Sequence, residues 1–180
     1  MPTRGLIPAW VVVVLLGGCA AAPPGLRLDA PWIPSEPAVI KVMLDVAAVG
    51  PGDVLYDLGC GEGEIVIAAA LRGARGVGVD LDPERIANAR RNAAEAGVTD
   101  RVAFIEQDLF QTDVSPATVV TLYLGPAVNE RLRPKLLREL RPGTRIVSHD
   151  FSLGDWTPER TVTVPQPPGH QVLLWRVPAR

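Results

Sequence analysis

The sequence contains little cysteine and little histidine, with two residues of each among 180. Two cysteines cannot build a disulfide-rich scaffold, and no group of His, Cys and Asp shows metal-ligand spacing, so the sequence predicts no metal site. The basic excess of general nucleic-acid binders is also absent. The formal net charge is −2, and it is −3, from 17 basic and 20 acidic residues, without the first 18 residues. We therefore expect no nucleic-acid partner.

The composition nevertheless describes a folded chain. Hydrophobic residues make up 47% of it and the mean hydropathy is +0.18, which is too apolar for an intrinsically disordered protein. The length fits one domain.

The N-terminus has the layout of an export signal. Arg4 precedes an apolar run over residues 5–16, and Leu16-Gly17-Gly18-Cys19 resembles a bacterial lipobox, in which a peptidase cuts before the cysteine that carries the lipid. This predicts a signal at 1–18, lipidation of Cys19, a tether at 19–29 and a domain at 30–180, facing the cell exterior or periplasm. The alternative is an uncleaved inner-membrane anchor with a cytoplasmic domain, because residues 5–22 are uncharged and marginally long enough to cross. Both interpretations place the chain at a membrane.

Hydrophobic patterning after residue 30 predicts alternating helices and strands. Ser35 is a plausible N-cap for a helix that starts at Pro37, and Asp82 caps a later helix that Gly97 ends. Further helices are expected at 65–71 and 134–140. Strands are expected at 54–57, 76–80, 102–105, 118–124 and 145–148, with a closing antiparallel pair at 161–164 and 171–177. This order predicts an α/β fold, doubly wound around a mostly parallel seven-stranded sheet with a C-terminal antiparallel hairpin.

The glycine-rich loop over residues 56–64 leaves a predicted strand and enters a predicted helix, where doubly wound sheets bind ligands. Its glycines are Gly59, Gly61 and Gly63, and Glu64 stands where a dinucleotide fingerprint has its third glycine. Acidic residues there suit pyrophosphate poorly, so a nicotinamide oxidoreductase is disfavoured. Asp57 before the first glycine favours a ligand that carries positive charge.

Here the sequence resembles the class I S-adenosylmethionine-dependent methyltransferases, which have a Rossmann-like fold. The stretch from Asp57 to Gly63 is similar to their first motif, which implies cofactor contacts from Asp57, Gly59, Gly61 and Gly63. Asp80 matches the acidic residue on the ribose hydroxyls, and a carboxylate can accept hydrogen bonds from both. Gln107-Asp108 matches the position that holds the adenine amino group, so Asp108 is a further cofactor-binding candidate.

Three segments are similar to a narrower group of small methyltransferases that includes mitochondrial protein-lysine methyltransferases with an N-terminal membrane segment. They are residues 31–34, 57–70 and 148–151. The resemblance implies methyl transfer to an amine such as a protein lysine. The lipobox supports an alternative, an exported and membrane-tethered binding module that kept the fold without turnover, because the exterior has no obvious supply of S-adenosylmethionine.

His149, Asp150 and Tyr123 are the candidate catalytic residues. His149 and Asp150 end a strand on the ligand side of the sheet and could orient an amine or accept its proton; a hydrogen-bonded loop histidine is the alternative. Tyr123 could line the site, because an aromatic face favours a cation, or it could pack under a helix. Cys60 is interpreted as structural, and His170, in a proline-rich turn, is expected at the surface.

Overall fold

The computed structural model describes residues 33–165 and 169–180. The predicted signal, tether and lipidated Cys19 lie outside these residues, as does Trp32. Within the two described ranges, no helix combines the length and apolar character needed to cross a membrane.

One mixed sheet of seven strands organises the fold, in the order β3-β2-β1-β4-β5-β7-β6. The first five strands run parallel, and β7 is antiparallel to both β5 and β6. The strands are β1 (Val54–Leu58), β2 (Arg75–Asp80), β3 (Val102–Glu106), β4 (Val119–Leu122), β5 (Arg145–His149), β6 (Arg160–Val164) and β7 (His170–Arg176). The predicted α/β class, strand count and C-terminal hairpin are confirmed.

Helices cover both faces of the sheet. They are α1 (Pro37–Val46), α2 (Glu64–Leu71), α3 (Pro83–Glu95) and α4 (Pro126–Glu139). The first three bury their apolar residues in one core cluster, and α4 buries Val128, Leu132 and Leu136 in a second cluster on the other face. The central strand β4 is buried along its whole length, as expected for a sheet with both faces covered.

One predicted helix cap and one predicted helix start differ from the structure. The predicted cap at Ser35 is wrong, because α1 follows Glu36, which makes no side-chain cap bond, while the Ser35 hydroxyl contacts His149 instead. The helix predicted from Pro134 begins at Pro126, so Pro134 lies inside it. Pro126 occupies the first turn of this helix, where the missing N–H of a proline leaves no helical hydrogen bond unmade.

Candidate active site

Several acidic and polar side chains lie together at the carboxyl ends of β1 to β4. The first three of these strands are ordered β3-β2-β1 and the chain then crosses to β4 on the other side of β1. A doubly wound sheet opens a crevice at such a reversal of strand order. The loops after these strands and the segment before α1 line one cleft there, which we call the switch-point cleft.

The glycine loop between β1 and α2 has backbone dihedral angles that residues other than glycine rarely adopt. Gly59, Gly61 and Gly63 have φ angles of +81°, +53° and +87°. A Cβ at Gly63 would also lie 2.8 Å from the ring of Phe104 and 3.1 Å from the Cβ of Ala89. The third glycine is therefore required by close packing of the loop on β3 and α3, as well as by its backbone angle.

We expect Gly63→Ala to destabilise the protein by about 2–5 kcal/mol, from about 1–2 kcal/mol of left-handed backbone strain and about 1–3 kcal/mol of overpacking. Gly97 is the matched control, because its φ is +68° and a Cβ there would meet no atom within 4 Å. Gly97→Ala should therefore lose only the strain contribution. Urea denaturation of both variants measures the difference, and equal losses would contradict the packing argument.

Asp57, near the end of β1, lies at the base of the cleft and is 3% exposed. Thr121 on the neighbouring strand donates a hydrogen bond of 2.7 Å to its carboxylate. Burial raises the pKa of Asp57 to about 7, and the nearby acids Glu64 and Asp80 contribute to this increase. A positively charged ligand in the cleft would favour the ionised form of this carboxyl group.

Asp80 ends β2 and holds the surrounding loops through both carboxylate oxygens. One oxygen accepts the Gly61 N–H at 2.9 Å, and the other accepts the Asp82 N–H at 3.0 Å. Each oxygen keeps a further lone pair for a ligand hydroxyl. Asp82 itself caps α3, accepting from the Glu84 N–H at 2.9 Å, as predicted.

Asp108 follows β3 and has two roles in the geometry. It accepts a hydrogen bond of 2.8 Å from the Phe110 N–H, which stabilises its own turn, and it lines the cleft together with Gln107. The interpretation of Asp108 as a loop cap and its interpretation as a ligand contact are therefore compatible.

Cys60 is buried, 4% exposed, and burial raises the pKa of its thiol, with Asp57 and Asp80 adding to the effect. A protonated, enclosed thiol is a poor nucleophile. This agrees with the structural interpretation of Cys60.

Tyr123 lines the cleft after β4, whereas His149 and Asp150 are not among the described lining residues. The ring of His149 stacks behind Tyr123 at 3.8 Å between centroids and is 1% exposed. Its Nδ1 lies 3.0 Å from the Ser35 hydroxyl and its Nε2 lies 2.9 Å from His170 Nδ1. Burial lowers the pKa of His149 to about 4. Direct proton removal by His149 is therefore not supported, because Ser35 and His170 occupy its two ring nitrogens and its low pKa makes it a weak base.

The predicted surface position of His170 is wrong. Its side chain is 13% exposed, and Nδ1 lies 2.9 Å from Asp150 Oδ2 as well as close to His149. The sequence placed it in a turn, but β7 begins at His170 and pairs with β5, which brings residues 20 positions apart together. Ser35, which also lines the cleft, was missed as a site residue because its place before a helix suggested only a cap.

The charged side chains that line the cleft suit S-adenosylmethionine. Among the described lining residues, the charged types are four acids and one guanidinium: Asp57, Glu64, Asp80, Asp108 and Arg85. Carboxylates accept hydrogen bonds from hydroxyl and amino groups and attract ammonium and sulfonium charges. The same set would repel a pyrophosphate.

Comparisons with known proteins agree with this geometry. A family model described as the ANTKMT methyltransferase domain matches residues 57–160. The protein-lysine N-methyltransferase of Saccharolobus islandicus is 44% identical, over 74% of this chain and 84% of its own length. The mouse adenine nucleotide translocase lysine N-methyltransferase is 34% identical, over 76% of this chain and 60% of its own.

A crystal structure described as an RNA methyltransferase from Salinibacter ruber, in complex with S-adenosyl-L-homocysteine, superimposes with a TM-score of 0.79. It is 52% identical to this chain and covers 82% of this chain and 95% of its own. A second structure with the same ligand, a methyltransferase from Geobacter sulfurreducens, is 27% identical with a TM-score of 0.58, over 69% of this chain and 50% of its own.

Proposed function

This chain belongs to the ANTKMT methyltransferase family, and from that premise we propose that it methylates the side-chain amine of a protein lysine. It is an S-adenosylmethionine-dependent methyltransferase. The lysine acceptor is supported by the relatives that are named as lysine methyltransferases.

The observation that carries the lysine proposal is the charge of the switch-point cleft. Four acidic side chains and one basic side chain line its described part. Glu64 is partly buried at the start of α2, and burial raises the pKa of its carboxyl group. An incoming lysine ammonium is attracted by this field, whereas a phosphate backbone is repelled.

The cofactor contacts follow from the positions of the acids. We assign the ribose hydroxyls to Asp80, the adenine amino group to Asp108 and the positive end of the cofactor to Asp57. When bound, S-adenosylmethionine supplies a methyl group on a positively charged sulfur. The chain contributes alignment, because it fixes both partners at the end of a rigid sheet; alignment can supply roughly 7–11 kcal/mol of barrier reduction in good cases.

The lysine amine must be neutral to react, and the structure limits which groups accept its proton. Burial, with a contribution from Asp150, raises the pKa of Tyr123, so its phenol stays neutral at pH 7. His149 is engaged behind Tyr123. We therefore assign proton removal to solvent water. We assign to Tyr123 the positioning of the amine, through contact with its ring.

RNA is the second candidate acceptor, because the 52% identical structure is described as an RNA methyltransferase. The acidic cleft and the formal net charge of −2 oppose it.

The acceptor can be identified by incubating the full chain with methyl-labelled S-adenosylmethionine and separate protein and RNA fractions of bacterial cells. Hydrolysis of each fraction then shows which building block carries the label. We expect labelled methyl-lysine and no labelled nucleoside. Label in nucleosides alone would overturn the lysine proposal and favour RNA. The Asp80→Ala variant, in which we expect weakened cofactor binding, is the control. Label that appears equally with this variant does not come from catalysis in the switch-point cleft.

Replacing Tyr123 should separate acceptor positioning from cofactor binding. We expect Tyr123→Ala to lower kcat/KM for the lysine acceptor by about 100-fold, because misplacing an acceptor by about 1 Å can cost that much. The cofactor Kd should change little. The matched control is Tyr56→Phe, at the other tyrosine of the chain, which lies in the core on β1. A parallel loss of cofactor affinity in Tyr123→Ala would contradict an acceptor role.

We also propose that residues 1–18 form a lipoprotein signal and that Cys19 carries the lipid, which supports a location facing the exterior or periplasm. The lipobox supports this proposal. Mass spectrometry of the N-terminal peptide from membranes tests it. A diacylated N-terminal Cys19 is expected, and Cys19→Ala should abolish the modification. An intact Met1 would favour the uncleaved anchor with a cytoplasmic domain.

A further inference from the structure

Three side chains with metal-binding atoms converge where β5 ends and β7 begins. His170 Nδ1 lies 2.9 Å from His149 Nε2 and 2.9 Å from Asp150 Oδ2, and these last two atoms are 3.4 Å apart. His149 and His170 are the two histidines of the whole chain. The spacing of these residues in sequence showed no metal motif, because the strand pairing creates the cluster.

The three distances match the edges of a metal coordination shell. Zinc lies about 2.0–2.1 Å from imidazole nitrogen and carboxylate oxygen, so two such ligands are about 2.9 Å apart at a right angle and about 3.3 Å apart in a tetrahedron. We propose that His149, Asp150 and His170 bind one divalent transition-metal ion, and that zinc fits this ligand set best. Two imidazoles and one carboxylate suit zinc and its first-row neighbours, whereas calcium and magnesium prefer oxygen ligands.

The surrounding contacts occupy the other polar atoms of His149 and Asp150. The Ser35 hydroxyl occupies His149 Nδ1 at 3.0 Å and leaves Nε2 facing His170. The Gln171 N–H donates to Asp150 Oδ1 at 2.7 Å and leaves Oδ2 facing both histidines. Hydrogen bonds to the non-coordinating atoms of metal ligands orient those ligands in many metal sites.

The backbone is also held in an uncommon conformation at the cluster. Asp150 has a φ of +60°, in the left-handed region, and its N–H donates to the Gln171 carbonyl at 2.7 Å. A non-glycine residue pays a strain cost there that the surrounding structure must offset. This turn directs the Asp150 carboxylate back toward β7.

The ion would join the end of β5 to the start of β7, behind Tyr123, the side chain to which we assign positioning of the lysine amine. His149 stacks on Tyr123 at 3.8 Å, so a metal on its Nε2 fixes the ring against which Tyr123 rests. The Asp150 side chain is 27% exposed, which leaves a path for a water ligand. Because His149 and Asp150 do not line the described part of the cleft, we assign the ion a positioning role for Tyr123 and not contact with the reacting atoms.

A shared proton is the competing arrangement. If His170 Nδ1 carries hydrogen, it can donate to Asp150 Oδ2 and His149 Nε2 together, and His149 Nδ1 can donate to Ser35. That arrangement satisfies the same contacts without an ion, so metal binding decides between the two.

The test uses the full chain in mild detergent, stripped with a chelator and titrated with zinc chloride. Because the chain has two histidines, proton NMR shows two sets of imidazole ring signals. We expect both sets to shift together, with saturation at one zinc per chain, and cobalt chloride to give visible absorption bands of a nitrogen- and oxygen-ligated ion. Ring signals that stay unchanged in the folded wild type would overturn the proposal.

Variants locate the site independently of enzyme activity. Asp150→Asn and His170→Gln should weaken zinc affinity by about 100-fold or more, and Ser35→Ala, which removes an orienting contact, by about 10-fold. One control should bind zinc as the wild type does: Asp113→Asn, which changes an exposed carboxylate in another loop. Equal zinc affinity in the wild type and in folded Asp150→Asn would place the ion elsewhere and overturn the assignment.

Discussion

Asp80→Ala is expected to lower the affinity for S-adenosylmethionine by about 100-fold or more. The carboxylate lines the cleft, and we assign the two ribose hydroxyls to it. A hydrogen bond to a charged group contributes about 1.5–3 kcal/mol, so the loss of two such bonds exceeds two orders of magnitude in Kd. Part of the loss arises in the loop, because Asp80 also accepts the Gly61 N–H. Calorimetric titration of the full chain measures the change.

Asp82→Ala is the matched control for Asp80→Ala. Asp82 is two residues away and is also a carboxylate, but it caps α3 through the Glu84 N–H and is not among the described lining residues. Its removal should cost about 1 kcal/mol of stability and change the cofactor affinity little. If Asp80→Ala binds the cofactor as tightly as Asp82→Ala does, the assignment of the ribose site is incorrect.

Asp57→Asn is expected to remove a pH dependence of stability from the cofactor-free enzyme. The folded pKa of Asp57 is about 7, against an ordinary value of 3.8, so the folded state keeps a proton that the unfolded chain releases. The free energy of unfolding of the wild type therefore falls as pH rises from about 4 to about 7, and then levels off. The loss is on the order of a few kcal/mol. Asparagine cannot ionise, and it can still accept the hydrogen bond from Thr121.

The same substitution should weaken cofactor binding. A positive ligand beside Asp57 favours the carboxylate, so binding near pH 6.5 should release a proton from the wild type. Calorimetry in two buffers of different ionisation enthalpy measures this release, which Asp57→Asn should abolish. Asp82→Ala again serves as the control, and its cofactor binding should still release a proton. Parallel pH profiles of stability in the wild type and Asp57→Asn would show that Asp57 titrates normally.

The sequence predicted the sheet well because strands and helices alternate along the chain and the central strand β4 is a short, largely apolar run. The run over Val119–Leu122, for example, is buried throughout and could be identified from composition alone. The cap of α1 was harder to predict, because capping depends on contacts beyond the local chain. Ser35 has the composition of a cap, but its hydroxyl faces His149, which is 114 residues away.

The clustering of the three acids was predictable because they follow successive strands in one motif order. Asp57, Asp80 and Asp108 all lie in the cleft. The acceptor side was less predictable. The pairing of β7 with β5 brings His170 to His149, and such a contact is set by tertiary structure. The proline-rich turn before His170 does not indicate a contact with His149.

The most direct test of the central claim, that the switch-point cleft holds the cofactor, is a crystal structure of the full chain with S-adenosylhomocysteine. We predict the ribose hydroxyls on the Asp80 carboxylate, the adenine amino group beside Asp108 and the amino-acid end toward Asp57. A ligand bound outside this cleft, or bound in it with the ribose away from Asp80, would contradict the account.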